Sequence, residues 1–435
     1  MGRISKAYIA AREGQWAFFL PALIVFYFFI KEIKVGEPFL YKYQTEFQNY
    51  TTATINGEIY PYFAYAFLVA TVPISLFTDV FLYKPTMYLE IIGQIIYRFT
   101  LVFMDGVLSQ QIGHAMWGIA IASEIGGFSY IYGEFEKDQH KKMTFLTRAA
   151  SMAGKTGGYV IGQLILLTHI GTYKTINEIT FYILCIALVF CVLLPRISWK
   201  KVVNNISTEQ SEKNTVKTSP SSPTSFCNYV FCRLKELKSE FIKIYSNCVI
   251  LKWSFWWAMG VCMFFQVNLF SQTLYGQVQI GDNSPLNGFA DAVYTFIAIV
   301  FILLTNYYPI NWDRWGETVL VIISILDTGL LVFASQTTSV YLMYICCTLY
   351  RSFYQVMLVI AQWNIARKMV TNSYGLVFGV NSFIAFVMNS ILTRIVTDKR
   401  GLGMQVRKVF LVYATLHAFM SLIFLTFIVY SFISC

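Results

Sequence analysis

A histidine and a glutamate stand ten residues apart in a run that is otherwise nearly all apolar, His114-Ala115-Met116-Trp117 through Ser123-Glu124-Ile125-Gly126-Gly127. A charge at mid-membrane depth costs about 3 kcal/mol on insertion scales, so it faces a cavity or a partner. Over one continuous helix, ten residues rise about 15 Å and end about 80° out of register. His114 and Glu124 would then border one cavity at two depths. The alternative is a buried ion pair that ties two helices together. Arg148 and Lys155 lie seven apart, hence on one helical face. Arg351, Lys155 and Arg148 place bases in apolar spans; Glu37 and Glu124 could face a cation or pair those bases. Glu37 sits in Gly36-Glu37-Pro38, where proline after glycine breaks a helix and frees backbone groups. That segment is either a helix broken at a binding site or the plain end of a span. The four histidines, His114, His140, His169 and His417, are scattered singly without ligand spacing, which argues against a metal centre and a membrane-embedded enzyme. A non-transporting membrane receptor stays open on pattern alone.

Apolar helices must position these groups. Of 435 residues, 56% are hydrophobic, 17% aromatic and 13% charged, against about 25% charged in soluble domains. The reading is an all-α polytopic membrane protein of about twelve spans of roughly 20 residues. The net charge of +10 falls largely in loops that should be cytoplasmic, which fits the positive-inside bias and not nucleic-acid binding. Nine cysteines include no even set in a probable external loop, so no disulfide framework is expected, and Cys227 and Cys232 lack a second pair for zinc. The first apolar run ends in the polar Gly-Glu-Pro segment, not in a small-residue cleavage site.

Arg3, Lys6 and Arg12 against Glu13 put the N-terminus in the cytosol. Span 1 starts near Trp16. Span 2 covers about Tyr60 to Leu82 and holds Phe63. Span 3, about Pro85 to Asp105, contains Glu90 and Arg98. Span 4 is the His114–Tyr130 stretch, to about Tyr132, and a charged turn follows to Lys142. Span 5 begins near Met143, with Gly157-Gly158 and Gly162 suited to close packing. Span 6 runs from about Ile176 to Leu194. Residues 196–247 have linker composition around Ser219-Pro220-Ser221, ending in a short amphipathic helix near Arg233 to Ile244. Span 7 carries Phe264, Phe265 and Gln266; span 8 starts near Asn287 and carries Asp291. A tight loop, Asn311 to Glu317, precedes span 9. Span 10 holds Arg351, Gln355 and Gln362, span 11 holds Asn381 and Asn389, and span 12 reaches Ile433. Arg394, Lys399, Arg400, Arg407 and Lys408 fall outside by parity, locally against the positive-inside rule. Asn49-Tyr50-Thr51 is an external sequon, whereas Asn205-Ile206-Ser207 is cytosolic and should stay bare. Six spans, a basic loop and six spans match the organisation of the major facilitator superfamily: a bundle at 1–195, a cytoplasmic linker at 196–247 and a bundle at 248–435, with both termini cytoplasmic.

Several motifs together resemble the reduced folate carrier and thiamine transporter family. They are Gly36-Glu37-Pro38-Phe39-Leu40, Glu58-Ile59-Tyr60-Pro61, Thr78-Asp79-Val80, Ser123-Glu124-Ile125 with Ser129-Tyr130-Ile131-Tyr132, Leu376-Val377-Phe378-Gly379-Val380-Asn381-Ser382-Phe383, and Asp398-Lys399-Arg400-Gly401-Leu402-Gly403. The likeness covers nearly the whole chain outside the central loop. It implies a vitamin transporter of the cell membrane, without cofactor, and a sequon at Asn49 where family members carry one. Glu37 matches the glutamate used toward the substrate's ring in both branches. Arg351 with Gln355 resembles the folate branch, whose arginine meets the substrate's carboxylates; a guanidinium fork suits that contact. Arg148 matches a family arginine. Departures are equally clear. His114 stands where both branches carry a glutamate. Glu124 agrees with the thiamine branch, whereas folate carriers place an arginine there. Asn389 stands where folate carriers place a lysine, Trp117 replaces a tyrosine, and Phe63 replaces the thiamine branch's tryptophan. Lys155 has no counterpart. Phe63, Trp117, Phe264 and Phe265 are core, or a platform for a flat ring. The resemblance thus implies a folate-type organic anion, with thiamine as the alternative. It leaves coupling to a proton or exchange against a counter-anion open.

Overall fold

A bilayer offers no water to unpaired backbone groups, so apolar runs of this length fold as helices. The computed structural model describes residues 19–51, 54–135, 137–197, 239, 241–276, 278, 286–307, 312–369, 374–396 and 402–433. The helices of the first half are α1 (Phe19–Lys31), α2 (Pro61–Val80), α3 (Lys84–Phe103), α4 (Val107–Ala122), α5 (Ile125–Glu134), α6 (Lys137–Leu167) and α7 (Tyr173–Leu193). Those of the second half are α8 (Cys248–Gly276), α9 (Asn287–Tyr307), α10 (Trp312–Gln336), α11 (Val340–Lys368), α12 (Tyr374–Val396) and α13 (Val406–Ile433). Eight of them, α2 and α7 to α13, are long and apolar enough to cross a membrane. The remaining spans of the described residues, α1, α3, the α4–α5 pair and α6, are short, broken or charged. They carry most of the buried ion pairs. Along the seam between the halves, α6 packs on α9 and α2 packs on α12.

Three expectations need correction. Span 4 is not one helix: α4 stops at Ala122, and Ser123 and Glu124 turn the chain into α5. The Ser123 hydroxyl donates back to the Ile119 carbonyl at 2.8 Å, a bond that bends helices. Gly126 and Gly127 then let α5 approach its neighbours, since an added Cβ would stand 2.8 Å from Thr86 Cβ and from Phe28 Cζ respectively. The charged turn before Met143 is helical from Lys137, with Asp138 in the favourable first turn. The loop before span 9 is helical from Trp312. Both helices are longer than the apolar layer needs: the 31 residues of α6 span about 46 Å, against a hydrocarbon core of about 30 Å.

Two basic residues, Lys84 and the Arg407 that runs against the positive-inside rule, close helix ends. Lys84, at the start of α3, donates to the Val192 carbonyl at 3.0 Å and to the Leu194 carbonyl after α7. Arg407, at the start of α13, donates to Ser335 and Thr337 carbonyls at 2.9 and 2.8 Å after α10. A base at a helix C-terminus satisfies free carbonyls and opposes the dipole. That local role gives Arg407 a place that does not depend on the side of the membrane. Residues 1–18, the central loop with Asn205, Cys227 and Cys232, most of the Arg233–Ile244 segment, Asn311 and residues 397–401 lie outside the described residues.

Asn49 is exposed, with φ of +57°, a conformation asparagine tolerates. We expect glycan on Asn49 alone. A deglycosidase mobility shift should be present in the parent and absent in Asn49→Gln; a shift that persists in the variant contradicts the external assignment.

Candidate functional site

Span 1 does not simply end. After Lys31 the backbone leaves the helix for five residues, makes one 3-10 turn at Glu37–Phe39 and a short turn at Leu40–Lys42, then widens into a π-helical turn at Tyr43–Phe47. Val35, Pro38 and Phe39 are buried, so the break lies within protein, where non-helical backbone is tolerated. The Gly36 amide donates to Thr180 Oγ1 at 3.1 Å. On α6, Gly154, Gly158 and Gly162 lie under the break. A Cβ on Gly158 would stand 2.8 Å from the Lys34 nitrogen, and one on Gly154 or Gly162 would collide with the Phe29 or Val35 carbonyl. Gly158 and Gly162 thus make the expected close approach together with Gly154, whereas Gly157 meets nothing within 4 Å.

The break sets charges in register with other spans. Lys31 pairs with Glu90 of α3 at 2.5 Å, both fully buried. Glu32 faces Lys34 at 3.2 Å and Lys155 of α6 at 3.6 Å. Glu37 pairs with Arg98 of α3, whose other guanidinium nitrogen donates to Asn177 Oδ1 of α7 at 2.8 Å. Glu124, at the start of α5, faces Arg148 of α6 at 3.7 Å. Arg148 lies 4.0 Å over the Phe128 ring and donates from Nε across the seam to Gln362 of α11 at 3.2 Å. In the second half, Arg351 pairs with Asp291 of α9 at 2.7 Å and donates to Asn268 at 3.3 Å. Glu37 and Asp291 are within electrostatic reach of one another, as are Lys155, Glu124, Arg148 and Tyr294. The pairs therefore converge from both halves.

In three pairs the acid is the more accessible member. Side-chain exposure is 27% for Glu37 against 3% for Arg98, 34% for Glu124 against 10% for Arg148, and 15% for Asp291 against 3% for Arg351. Lys155 is the base with most exposure in this group, at 23%.

Aromatic rings fill the space between. His114 is fully buried. Its Nδ1 shares a 2.9 Å hydrogen bond with the Gln110 carbonyl, and its ring meets Tyr60 and Tyr97 at 5.4 and 5.2 Å. Because span 4 breaks before Glu124, a continuous-helix spacing does not relate His114 to it. Trp117 stacks on Tyr97 at 5.1 Å and packs on Phe63 at 4.5 Å. Phe264 stacks on Tyr354 at 4.0 Å. Phe265 packs on Phe386, which stacks across the seam on Phe67 at 3.7 Å. Gln355 is buried, with an unpartnered Oε1. Asn287 accepts from the Tyr344 hydroxyl, and Asn389 accepts from Gln266 Nε2, both at 2.8 Å. Asn287 and Asn389 thus join hydrogen bonds within the second half.

Sequence reasoning singled out Glu37, Glu124, Arg148, Lys155 and Arg351. It missed the partners Arg98 with Asn177, Asp291, and the Lys31–Glu90 pair. The available signal was charge type and depth within an apolar run. The pairing joins residues 59 and 61 positions apart in the case of Glu90 and Arg98, which local periodicity does not encode.

The reduced folate carrier family model matches residues 14–412. The chain is 34% identical to folate-like transporter 3 of Caenorhabditis elegans over 411 residues, covering 94% of this chain and 96% of that one. It is 30% identical to human thiamine transporter 1 over 449 residues, covering 95% and 90%. In fold it resembles the crystal structure of FucP, a major facilitator superfamily transporter, with a TM-score of 0.62 at 13% identity over 94% of this chain and 98% of that one.

Arg98→Ala leaves Glu37 and Asn177 facing each other without the guanidinium. Breaking a buried pair costs about 3–5 kcal/mol, and the partial exposure of Glu37 puts this case near the lower end. Thermal unfolding in detergent should fall for Arg98→Ala and recover most of the loss in Arg98→Gln with Glu37→Gln. Equal melting points in parent and single variant contradict the pairing.

Proposed function

The chain belongs to the reduced folate carrier family, and on that premise we propose that it carries a water-soluble vitamin, a folate-type organic anion, across the plasma membrane. The observation that carries the charge preference is an inventory. Among the described residues, the linked pairs set six bases (Lys31, Lys34, Arg98, Arg148, Lys155, Arg351) against five carboxylates (Glu32, Glu37, Glu90, Glu124, Asp291). Lys34 and Lys155 share Glu32, so one positive charge is left over, and Lys155 is the accessible base. In a low-dielectric site the sign of the surplus selects the ligand, because an ion of the wrong sign loses its hydration without gaining a partner.

In this reading the substrate's carboxylates take the place of Asp291 on Arg351 and of Glu32 on Lys155. Arg148 holds its place through Gln362. Glu37 receives amino-group donors of the ring. Phe63 and Trp117 on one side and Phe264 and Phe265 on the other supply flat surfaces. His114 shapes the aromatic box behind Trp117, while Gln355, Asn287 and Asn389 supply neutral polar contacts. Transport proceeds by alternating access, with the bundles 1–195 and 248–435 rocking about the seam and residues 196–247 joining them in the cytosol with both termini. Polar contacts across that seam suit such movement: Thr156 to Thr295 at 2.7 Å, the Gly288 amide to Gln163 at 3.0 Å and Arg148 to Gln362 at 3.2 Å are exchangeable. The driving force is a coupled proton or an exchanged counter-anion.

A second reading, thiamine, has one observation in its favour: the accessible members of three pairs are acids. Uptake of labelled folate and labelled thiamine, side by side in cells expressing the protein, separates the two. We expect folate uptake. We also expect it to fall about 10- to 100-fold in Arg351→Ala at normal surface expression, the loss of one charge-assisted fork. Thiamine uptake that is lost in Glu124→Gln, with no folate uptake, would overturn the anion assignment.

A further inference from the structure

Four helices of the second half, α8, α10, α11 and α13, enclose a cavity of about 20 Å³ away from the paired charges, walled by Trp256, Ser324, Asp327, Tyr350, Tyr354 and His417 among others. A single water needs roughly 10–15 Å³. Three polar atoms of these side chains have no hydrogen-bond partner among the described residues: Trp256 Nε1, Asp327 Oδ1 and His417 Nδ1. Each of the three residues keeps only 5% of its surface exposed. Orphaned polar atoms in a native interior are rare, and three of them around one hole of this size fit one water that accepts from the indole and bridges the other two.

Asp327 lies midway along the apolar stretch Trp315–Gln336, and His417 midway along Val406–Thr426. The polar groups that share the cavity wall with Asp327 are Tyr350 and Tyr354 from α11, His417 from α13, Trp256 from α8 and Ser324 from its own helix. Cys262 of α8 is within electrostatic reach of Tyr350. No lysine or arginine acts on Asp327 among the described residues. A carboxylate here would be an uncompensated charge costing about 3 kcal/mol or more, whereas the acid form can donate to the water. His417 Nε2 shares a 2.9 Å hydrogen bond with the Tyr350 hydroxyl, which leaves Nδ1 as the nitrogen without a partner among the described residues.

We propose that Asp327, with the cavity water and His417, forms a proton-binding site that loads and unloads as the carrier changes conformation. In the step, the Asp327 O–H bond breaks, the water passes the proton to His417 Nδ1 or to solvent, and the carboxylate remains; no electrons change hands. The link to the paired charges is α11. Tyr350 precedes Arg351, and Tyr354 walls the cavity while stacking on Phe264 and lying within electrostatic reach of Arg148 and Glu124. A shift of α11 that releases substrate also alters the cavity, so proton and substrate feel one another.

The coupling rests on the carrier reading, so the test has two arms. In the first, purified, reconstituted protein without substrate is titrated from about pH 5 to about pH 10, a range wide enough to reach a buried carboxyl group, and the infrared difference spectrum is recorded. A carboxylic-acid carbonyl band lost in Asp327→Asn and displaced in His417→Gln is expected; a band unchanged in both overturns the site, whatever the protein transports. Should Asp327→Asn fail to fold, displacement or constancy of the band in His417→Gln decides alone. In the second arm, uptake of labelled folate and thiamine is followed over the same range. One coupled proton gives up to about tenfold per pH unit, and Asp327→Asn should flatten this to less than about twofold. A flat parent profile, or one equally steep in the variant, overturns the coupling. Loss of the band without any uptake in the parent rejects the carrier reading and leaves the site.

Discussion

A charge inside the bilayer needs a partner, and a backbone that leaves the helix there needs one too. Span 1 meets both demands at once. Its helix stops at Lys31, and the next residues lie in a bed made by Gly154, Gly158 and Gly162. From that bed Lys31, Glu32 and Glu37 reach Glu90, Lys155 and Arg98 on two other spans. Straightening span 1 would strand three charges and several amides, so the broken form is held by its neighbours and not by its own propensity. The spans that fail a simple hydropathy test are the ones that hold most of these pairs.

The same pairing constrains chemistry. An arginine already matched by Asp291 offers little net field to a passing ion, so in the proposed mode a ligand carboxylate would replace the internal one and not merely add to it. The exchange is close to neutral for a ligand of matching charge and costly for any other. In the proposed mode, selectivity would follow from the surplus of one base over the acids and from which pairs the ligand can reach, more than from any single contact. Rocking of the two halves would expose that exchange to one side at a time, since the contacts across the seam include stacked rings such as Phe67 on Phe386 as well as a few polar pairs.

The sequence carried the spans, their order and the types of charge within them, because apolar length and composition survive any detail of packing. It carried the span 1 break as an open alternative, since Gly36-Glu37-Pro38 has the residues of a break and of an end. It did not carry the break in span 4. Ser123-Glu124 contains no proline, and its bend comes from a serine bonding back to Ile119. Charged ends of α6 and α10 read as loops because charge marks exit from the bilayer whether or not the helix continues. Arg351 was visible, but its partner Asp291 lies sixty residues earlier on another helix, and only the fold brings the two to 2.7 Å. Asp327 gave no signal beyond its type. Its isolation depends on what four helices leave around it.

In the proposed mode of binding, substrate replaces an internal carboxylate. A structure of the protein with labelled-uptake-verified substrate bound tests it most directly. The account predicts a substrate carboxylate oxygen about 2.7–3.2 Å from Arg351 or Lys155, with Asp291 or Glu32 swung away. Substrate seated elsewhere, with the Arg351–Asp291 and Lys155–Glu32 pairs both intact, would contradict it.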